Sequence, residues 1–257
     1  MVRMATNLDN TPTTPGAMPR RIVVLNSKGG SGKTTLATNL AAMLSMCGQS
    51  TVIFDYDKQA SSTYWLKKRQ AGTSQIAGVE AFLPTPPNMT RSWFLRVPPE
   101  TDWVVLDTPA AIDDQQLRQF VAQANIILIP VMPSPSDIHA VTRFIERLFI
   151  AGRVKATPTR IGVVANRVKL NRDVYRNLRR FLDTLKLPVV AELRDSHNYV
   201  QAAMDGVGVA ELPRGHAECD AEEWQKLYAW ITGAPVTASA DGTSRRNATE
   251  PEAIVAA

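Results

Sequence analysis

The chain has 257 residues, 44% of them hydrophobic and 21% charged, enough for one sizeable α/β domain with a well-buried core. No stretch of about eighteen apolar residues occurs, which excludes a membrane-crossing helix, and the first twenty residues lack the apolar segment of a secretory signal. Two cysteines, Cys47 and Cys219, exclude a disulfide framework, and His139, His197 and His216 show no metal-ligand spacing with each other or with the cysteines, so a cytoplasmic protein is expected.

Residues 1–20, with Thr11-Pro12-Thr13-Thr14-Pro15-Gly16, read as a disordered lead, and 21–232 as the domain. Arg21–Asn26 is the first expected strand, and Thr34–Cys47 a helix closed by Gly48, with Cys47 as a packing residue. Thr51–Asp55 follows as a strand and Ala60–Arg69 as a short helix. Between Ala71 and Pro99, five prolines break any long element. Trp103–Asp107, Ile126–Val131 and Ile161–Ala165 are short apolar runs typical of buried parallel strands. Helical patterns lie at Gln115–Ala124, Ile138–Ala151, Val174–Leu185 and Ala221–Ile231, and the segment around His197, Asn198 and Tyr199 reads as a surface loop. Residues 233–257 read as a disordered tail. The alternation implies an α/β fold, with a mostly parallel central sheet and helices on both faces.

Lys28-Gly29-Gly30-Ser31-Gly32-Lys33-Thr34-Thr35 sits between the first strand and the first helix. Glycines there let backbone N–H groups turn inward around phosphate oxygens, and the helix adds the positive end of its dipole. Lys33 would pair with the β- and γ-phosphates of a nucleotide, and the Thr34 hydroxyl would bind Mg²⁺. The spacing is that of a P-loop with its first glycine position relaxed, since Ser27 stands there. At the carboxyl end of the next strand, the edge where open α/β sheets bind ligands, stand Asp55 and Asp57. Asp57 could equally cap the following helix. The third strand ends in Asp107, an apolar strand closed by an acid, placed to hold Mg²⁺ through a water.

With Lys28 ahead of the glycines, this loop resembles that of the ParA/MinD family of deviant-Walker ATPases, Lys-Gly-Gly-x-Gly-Lys-Thr-Thr, residue for residue. Further similar segments extend to about Leu212. The resemblance implies a P-loop NTPase fold binding ATP and Mg²⁺ through Gly29, Gly30, Ser31, Gly32, Lys33, Thr34 and Thr35. It implies a homodimer sandwiching ATP, in which Lys28 reaches the partner's phosphates. Asp57 would orient the attacking water and Asp55 would lie nearer the metal, in a segment where the family has Asp-x-Asp-Pro-Gln and this chain has Lys58 for the proline. Pro109-Ala110-Ala111 would sense the γ-phosphate. Pro130–Asp137 resembles the family's Pro-x-x-Pro-Ser-x-x-Asp segment, beside the nucleotide or the dimer face. Asn166 matches a position that contacts adenine, although a turn-forming asparagine fits as well.

The net charge of +5 is uneven. Residues 153–194 carry eleven Lys/Arg against three acids, an excess of eight that leaves the remainder acidic by three. Arg172, Arg176, Arg179 and Arg180 cluster on the face opposite Val174, Leu178, Phe181, Leu182 and Leu185, either as a solvated face or as a row for a phosphate backbone. By the resemblance, ParA-type relatives coat DNA non-specifically using basic residues in this third of the chain, with Arg194 near one such contact. The expected activity is a stand-alone ParA-type ATPase, nucleoid-associated, positioning a plasmid, chromosome region, chemoreceptor cluster or protein microcompartment through hydrolysis stimulated by a partner protein. About twenty residues precede the first strand, so no amino-terminal helix-turn-helix domain is expected.

Three rival readings have their own requirements. A MinD-like membrane protein would end in an amphipathic helix, whereas this tail is acidic and proline-broken, so no membrane attachment is expected. An iron–sulfur reductase relative would need paired cysteines. A small-molecule P-loop kinase would not need Lys28.

Overall fold

A computed structural model describes residues 18–69, 73–169, 173–184, 187–213 and 218–234. The lead and the tail lie almost wholly outside these, and so does Arg172. In chain order the main elements are β1 (Arg20–Val24), α1 (Lys33–Met46), β2 (Thr51–Asp55), α2 (Ser61–Lys68), β3 (Ile76–Val79), α3 (Arg91–Phe94) and β4 (Trp103–Asp107). Then come α4 (Asp114–Gln123), β5 (Ile126–Val131), α5 (Pro135–Ile150), β6 (Arg160–Val168), α6 (Asp173–Thr184), β7 (Val189–Arg194), α7 (Asn198–Asp205) and α8 (Glu218–Thr232).

Among the described residues the strands form one seven-stranded sheet ordered β3-β2-β4-β1-β5-β6-β7, with every neighbouring pair parallel. The expected α/β architecture is therefore the one observed. Parallel strands require crossovers, and the crossover helices cover both faces, so the strands must be apolar on both sides. Period two then sorts each strand between two cores. Val23, Val104 and Leu106 pack with Phe120 of α4, Phe144 of α5 and Leu178 of α6. Ile22, Val24 and Val105 pack with Leu36 and Leu40 of α1 and Trp224 and Leu227 of α8. Central β1 pairs with β4 on one side and β5 on the other, with Val24 opposite Asp107, while Asp55 of β2 also aligns with Asp107. Three strand ends thus converge on one point of the sheet edge.

Two strands and two helices, the one-turn α3 among the prolines and α7, were not legible in the sequence. β3 has only four residues, includes Ala77 and Gly78, and forms the sheet edge, so it carries no apolar run. β7 ends in the polar Glu192-Leu193-Arg194 and pairs irregularly with β6. The segment read as a loop at His197–Tyr199 instead begins α7, which Gly206 closes in the left-handed conformation (φ 69°). Cys47 is exposed beyond α1 rather than packed.

A buried ion pair fastens α2 to the turn after α7. Arg69 meets Glu211 through two contacts, Nη2–Oε1 at 2.6 Å and Nη1–Oε2 at 2.9 Å, and both side chains are over nine-tenths buried. Glu211 also accepts the Gly208 N–H at 2.6 Å. Removing one member of such a pair strands a buried charge. Glu211→Ala should therefore lower unfolding stability by about 3 kcal/mol or more in urea titrations. A loss under about 1 kcal/mol would show that water already screens the pair.

Candidate nucleotide-binding site

The loop that leaves β1 is braced before it turns. Asn26 is buried, donates from Nδ2 to the Pro130 carbonyl at 2.7 Å, and accepts the Lys28 N–H at 2.9 Å, tying the loop to the end of β5. Gly30 and Gly32 adopt φ of 75° and 91°, a region that costs an L-residue roughly 1–2 kcal/mol. At Gly32 a Cβ would lie 2.0 Å from Asn166 Nδ2, so glycine is required there on space as well. The chain then enters α1 at Lys33, with no side chain capping its first turn and its leading N–H groups facing outward.

One cavity of about 690 Å³ opens over this turn. Gly29, Gly30, Gly32, Lys33, Thr34, Thr35, Asp57, Asn166 and Arg194 all border it, so most of the residues singled out by sequence meet in one place. Ala110 of the expected γ-phosphate sensor borders it too, and α7 supplies an unforeseen wall of Tyr199, Val200 and Met204. Ser31 sits buried behind the turn, with its hydroxyl unpartnered among the described residues.

Beneath the turn lie the charges. Lys33 is 7% exposed, and its Nζ reaches only the Lys28 carbonyl at 3.3 Å. Burial lowers its pKa, and the charges of Asp107 and Asp57 act against this. Asp107 is 1% exposed, and neither carboxylate oxygen has a hydrogen-bond partner among the described residues. Burial pushes its pKa up to about 7; Thr34 and Ser62 hydroxyls nearby temper the shift, while the Asp55 charge adds to it. Asp55 is equally buried but satisfied, accepting from the Thr63 N–H and hydroxyl at 2.9 Å each and from the Asp57 N–H at 3.1 Å. Asp107 is thus the acid without a hydrogen bond, its burial offset only in part by the Lys33 charge. With the Thr34 hydroxyl it offers hard oxygens of the kind a divalent cation takes alongside phosphates. Among the described residues no cluster of three or more acids, histidines or cysteines forms a cage.

Asp57 does not cap α2, whose N-cap is Ala60 with no side-chain bond; its Oδ1 accepts the Gln59 N–H at 3.0 Å and its carboxylate borders the cavity. Asn166 is committed at both ends: Nδ2 donates to the Ser31 carbonyl at 2.9 Å, and Oδ1 accepts the N–H of Arg167, itself at φ 53°. A contact with a base would use the remaining Nδ2 hydrogen or Oδ1 lone pair. Lys28 turns away from the cavity. Its Nζ lies 2.6 Å from Asp137 Oδ2 and 2.9 Å from Ser136 Oγ, at the amino end of α5. Asp137 is 3% exposed, a partner for Lys28 that sequence spacing does not reveal.

The basic residues divide. Arg176 pairs with Asp173, and Arg179 with Glu192 and, at 3.8 Å, with Asp183. Arg180 is exposed with no ion pair among the described residues. Arg194 stands apart from these, held by the buried Asp220 of α8 at 2.6 and 2.9 Å on the cavity rim.

Residues 22–209 match the model of the CobQ/CobB/MinD/ParA nucleotide binding domain. The chain belongs to that family. Maintenance of carboxysome distribution protein A of Halothiobacillus neapolitanus is 30% identical over 203 residues, covering 77% of this chain and 91% of that protein. The protein of the same name from Gloeobacter kilaueensis is 36% identical over 129 residues, covering 50% of this chain and 56% of that one. Among solved structures, a Cyanothece McdA variant in complex with ATP superposes with a TM-score of 0.65 at 18% identity, covering 86% of this chain and 98% of that chain, a likeness that shows the fold. The cavity over the glycine turn thus lies within a nucleotide binding domain of that family.

Because Asp107 titrates near 7 when folded and near 3.8 when unfolded, the native state holds the extra proton between those values, and stability falls as pH rises across them. Asp107→Asn removes the buried charge. Without nucleotide, the variant should melt higher than the parent at pH 8, by on the order of 2–3 kcal/mol, and nearly level with it at pH 4. Equal melting of the two proteins at pH 8 would mean that water reaches the carboxylate.

Proposed function

We propose that the chain is a ParA-type ATPase that closes as a homodimer around two ATP molecules, coats nucleoid DNA without sequence preference and positions a cargo within the cytoplasm. The observation that carries this reading is the grouping of the glycine turn, Lys33, Thr34 and Asp57 around one cavity at the amino end of α1, with the buried Asp107 close enough for its charge to act on Lys33. The loop N–H groups and Lys33 would hold the phosphates, Thr34 and Asp107 would hold Mg²⁺, with Asp55 behind them, and Asp57 would orient the attacking water. Bound Mg²⁺ would neutralise the phosphate charge and relieve the buried acid beneath the turn. The 30% identity to a carboxysome distribution protein favours a protein microcompartment as cargo. A partner protein would stimulate hydrolysis and link the ATPase to that cargo.

Lys28 would act across the dimer. Within one chain it is parked on Asp137, so reaching a partner's phosphates means exchanging one anion for another rather than exposing a bare charge. Lys28→Ala should abolish the ATP-dependent dimer on size-exclusion chromatography while leaving the far-ultraviolet circular dichroism unchanged. A dimer that persists with ATP would refute the role in trans.

The arginines of α6 would carry the DNA contact. Arg176 pairs with the exposed Asp173, a kind of pair that contributes only about 0–1 kcal/mol, so a phosphate can displace it readily, and Arg180 has no ion pair to give up among the described residues. Arg176→Glu with Arg180→Glu should weaken binding to arbitrary-sequence duplex by roughly tenfold or more near physiological salt, and should flatten its salt dependence. Nucleotide affinity should stay level. Unaltered mobility shifts would move the contact elsewhere, Arg194 being the next candidate. A MinD-like membrane role turns on residues 235–257, outside the described residues, whose acidic, proline-broken sequence disfavours an interfacial helix.

A further inference from the structure

The loop that carries Asp57 has a second side. Asp57 and Gln59 border the nucleotide cavity, while Tyr56 and Lys58, alternating with them, border a separate cavity of about 540 Å³. That space lies between the segment after β3, α3 and α4, and its walls include Leu83, Arg91, Gln119 and Phe120. Its volume falls in the range of ligand pockets.

Its charge is one-sided. The Arg91 guanidinium is pinned by two backbone carbonyls, Ala81 and Leu83, and lies over the Phe94 ring at 5.3 Å. Carbonyls orient a guanidinium without neutralising it. Among the described residues neither Arg91 nor Lys58 has a carboxylate within ion-pair distance. The nearby Glu80 is turned to Lys67 at 3.5 Å. Burial raises the pKa of the Tyr56 hydroxyl in the same wall, and the charges of Arg91 and Arg21 oppose the rise, a sign of positive potential there. The apolar part of the wall is Leu83, 39% exposed, with Leu95 and Phe120. Prolines 84, 86 and 87 stiffen the adjoining chain. A free phosphate would find the cations but leave the apolar rim unused. A peptide with carboxylates and apolar side chains uses both.

We propose that this second cavity docks an acidic segment of a partner protein, with its carboxylates on Lys58 and Arg91 and its apolar side chains against Leu83 and Leu95, and that docking is felt at Asp57 through the shared loop. The route is short. Lys58 adjoins Asp57 in sequence, and two residues later Ala60 holds a left-handed conformation (φ 53°), a conformation that a small displacement of the loop can release. The resemblance supplies a proline at position 58; a lysine there adds both a charge and a freely rotating bond. The effect on hydrolysis rests on the ATPase reading above, whereas the docking does not.

The test uses the full chain and a fluorescein-labelled, blocked octapeptide of alternating glutamate and leucine, with glutamine replacing glutamate in its control. Fluorescence anisotropy should show binding of the acidic peptide and at least tenfold weaker binding of the control. Lys58→Glu, at an exposed position, should cost tenfold or more, and Lys58→Arg should restore binding. Arg180→Glu, on the α6 face, should leave it unchanged. Binding insensitive to Lys58→Glu, or lost equally with Arg180→Glu, would overturn the docking site. Displacement of the peptide by inorganic phosphate or by duplex DNA at equal charge concentration would assign the cavity to phosphate instead, and would overturn it too. With ATP and Mg²⁺ present, saturating peptide should change turnover at least threefold in the parent and not in Lys58→Glu. Binding with unchanged turnover would overturn the transmission to Asp57. Binding by a chain with no turnover under any condition would overturn the transmission and the ATPase reading together, while the docking site would stand.

Discussion

A parallel sheet buried on both faces can leave its polar groups in only one useful place, the carboxyl ends of its strands. Ile22, Val23 and Val24 are fully buried, and the chain they carry meets polarity only at Asn26. Since β1 lies between β4 and β5, its loop emerges where the crossovers on its two sides diverge, and the ends of β2 and β4 bring Asp55 and Asp107 to the same point. The site follows from that constraint. Its glycines, its buried lysine and its acids are the residues for which the sheet has no apolar position.

The two acids at this edge illustrate how environment divides like groups. Asp55 and Asp107 align across neighbouring strands and are both nearly inaccessible. One accepts three hydrogen bonds and serves the architecture of α2 and its entry loop. The other accepts none, and its pKa is carried to about 7 by burial. A buried acid without hydrogen bonds is costly when charged, so it either takes up a proton or is completed by a group from outside the chain. Lys33 offsets the charge only in part, since its ammonium is directed at a backbone carbonyl.

Lys28 and Asp137 show a different economy. The buried carboxylate at the amino end of α5 holds the lysine within its own chain and ties the glycine turn to the end of the fifth strand. In the proposed dimer the same lysine would have two anionic partners to choose between. Arg69 and Glu211 form the static counterpart, a pair with no competing ligand that anchors the turn after α7 and hence one wall of the nucleotide cavity.

Much of this was written locally. The glycine turn with its two lysines, the apolar strands ending in Asp55 and Asp107, and the helical repeats that cover them are short-range patterns. Each is imposed by backbone geometry or by burial on two faces, and each could be read without knowing where the chain goes next. Other features depended on distance. β3 and β7 lie towards the sheet margins, where one side or one end faces water, so their composition is mixed and their pairing comes from neighbours rather than from pattern. The role of Asn166 as a clamp on Ser31, the hold of Asp137 on Lys28 and that of Asp220 on Arg194 join residues 135, 109 and 26 positions apart. No periodicity encodes such pairs, because the free energy that selects them arises only when the sheet has brought two strand ends within a hydrogen bond of each other.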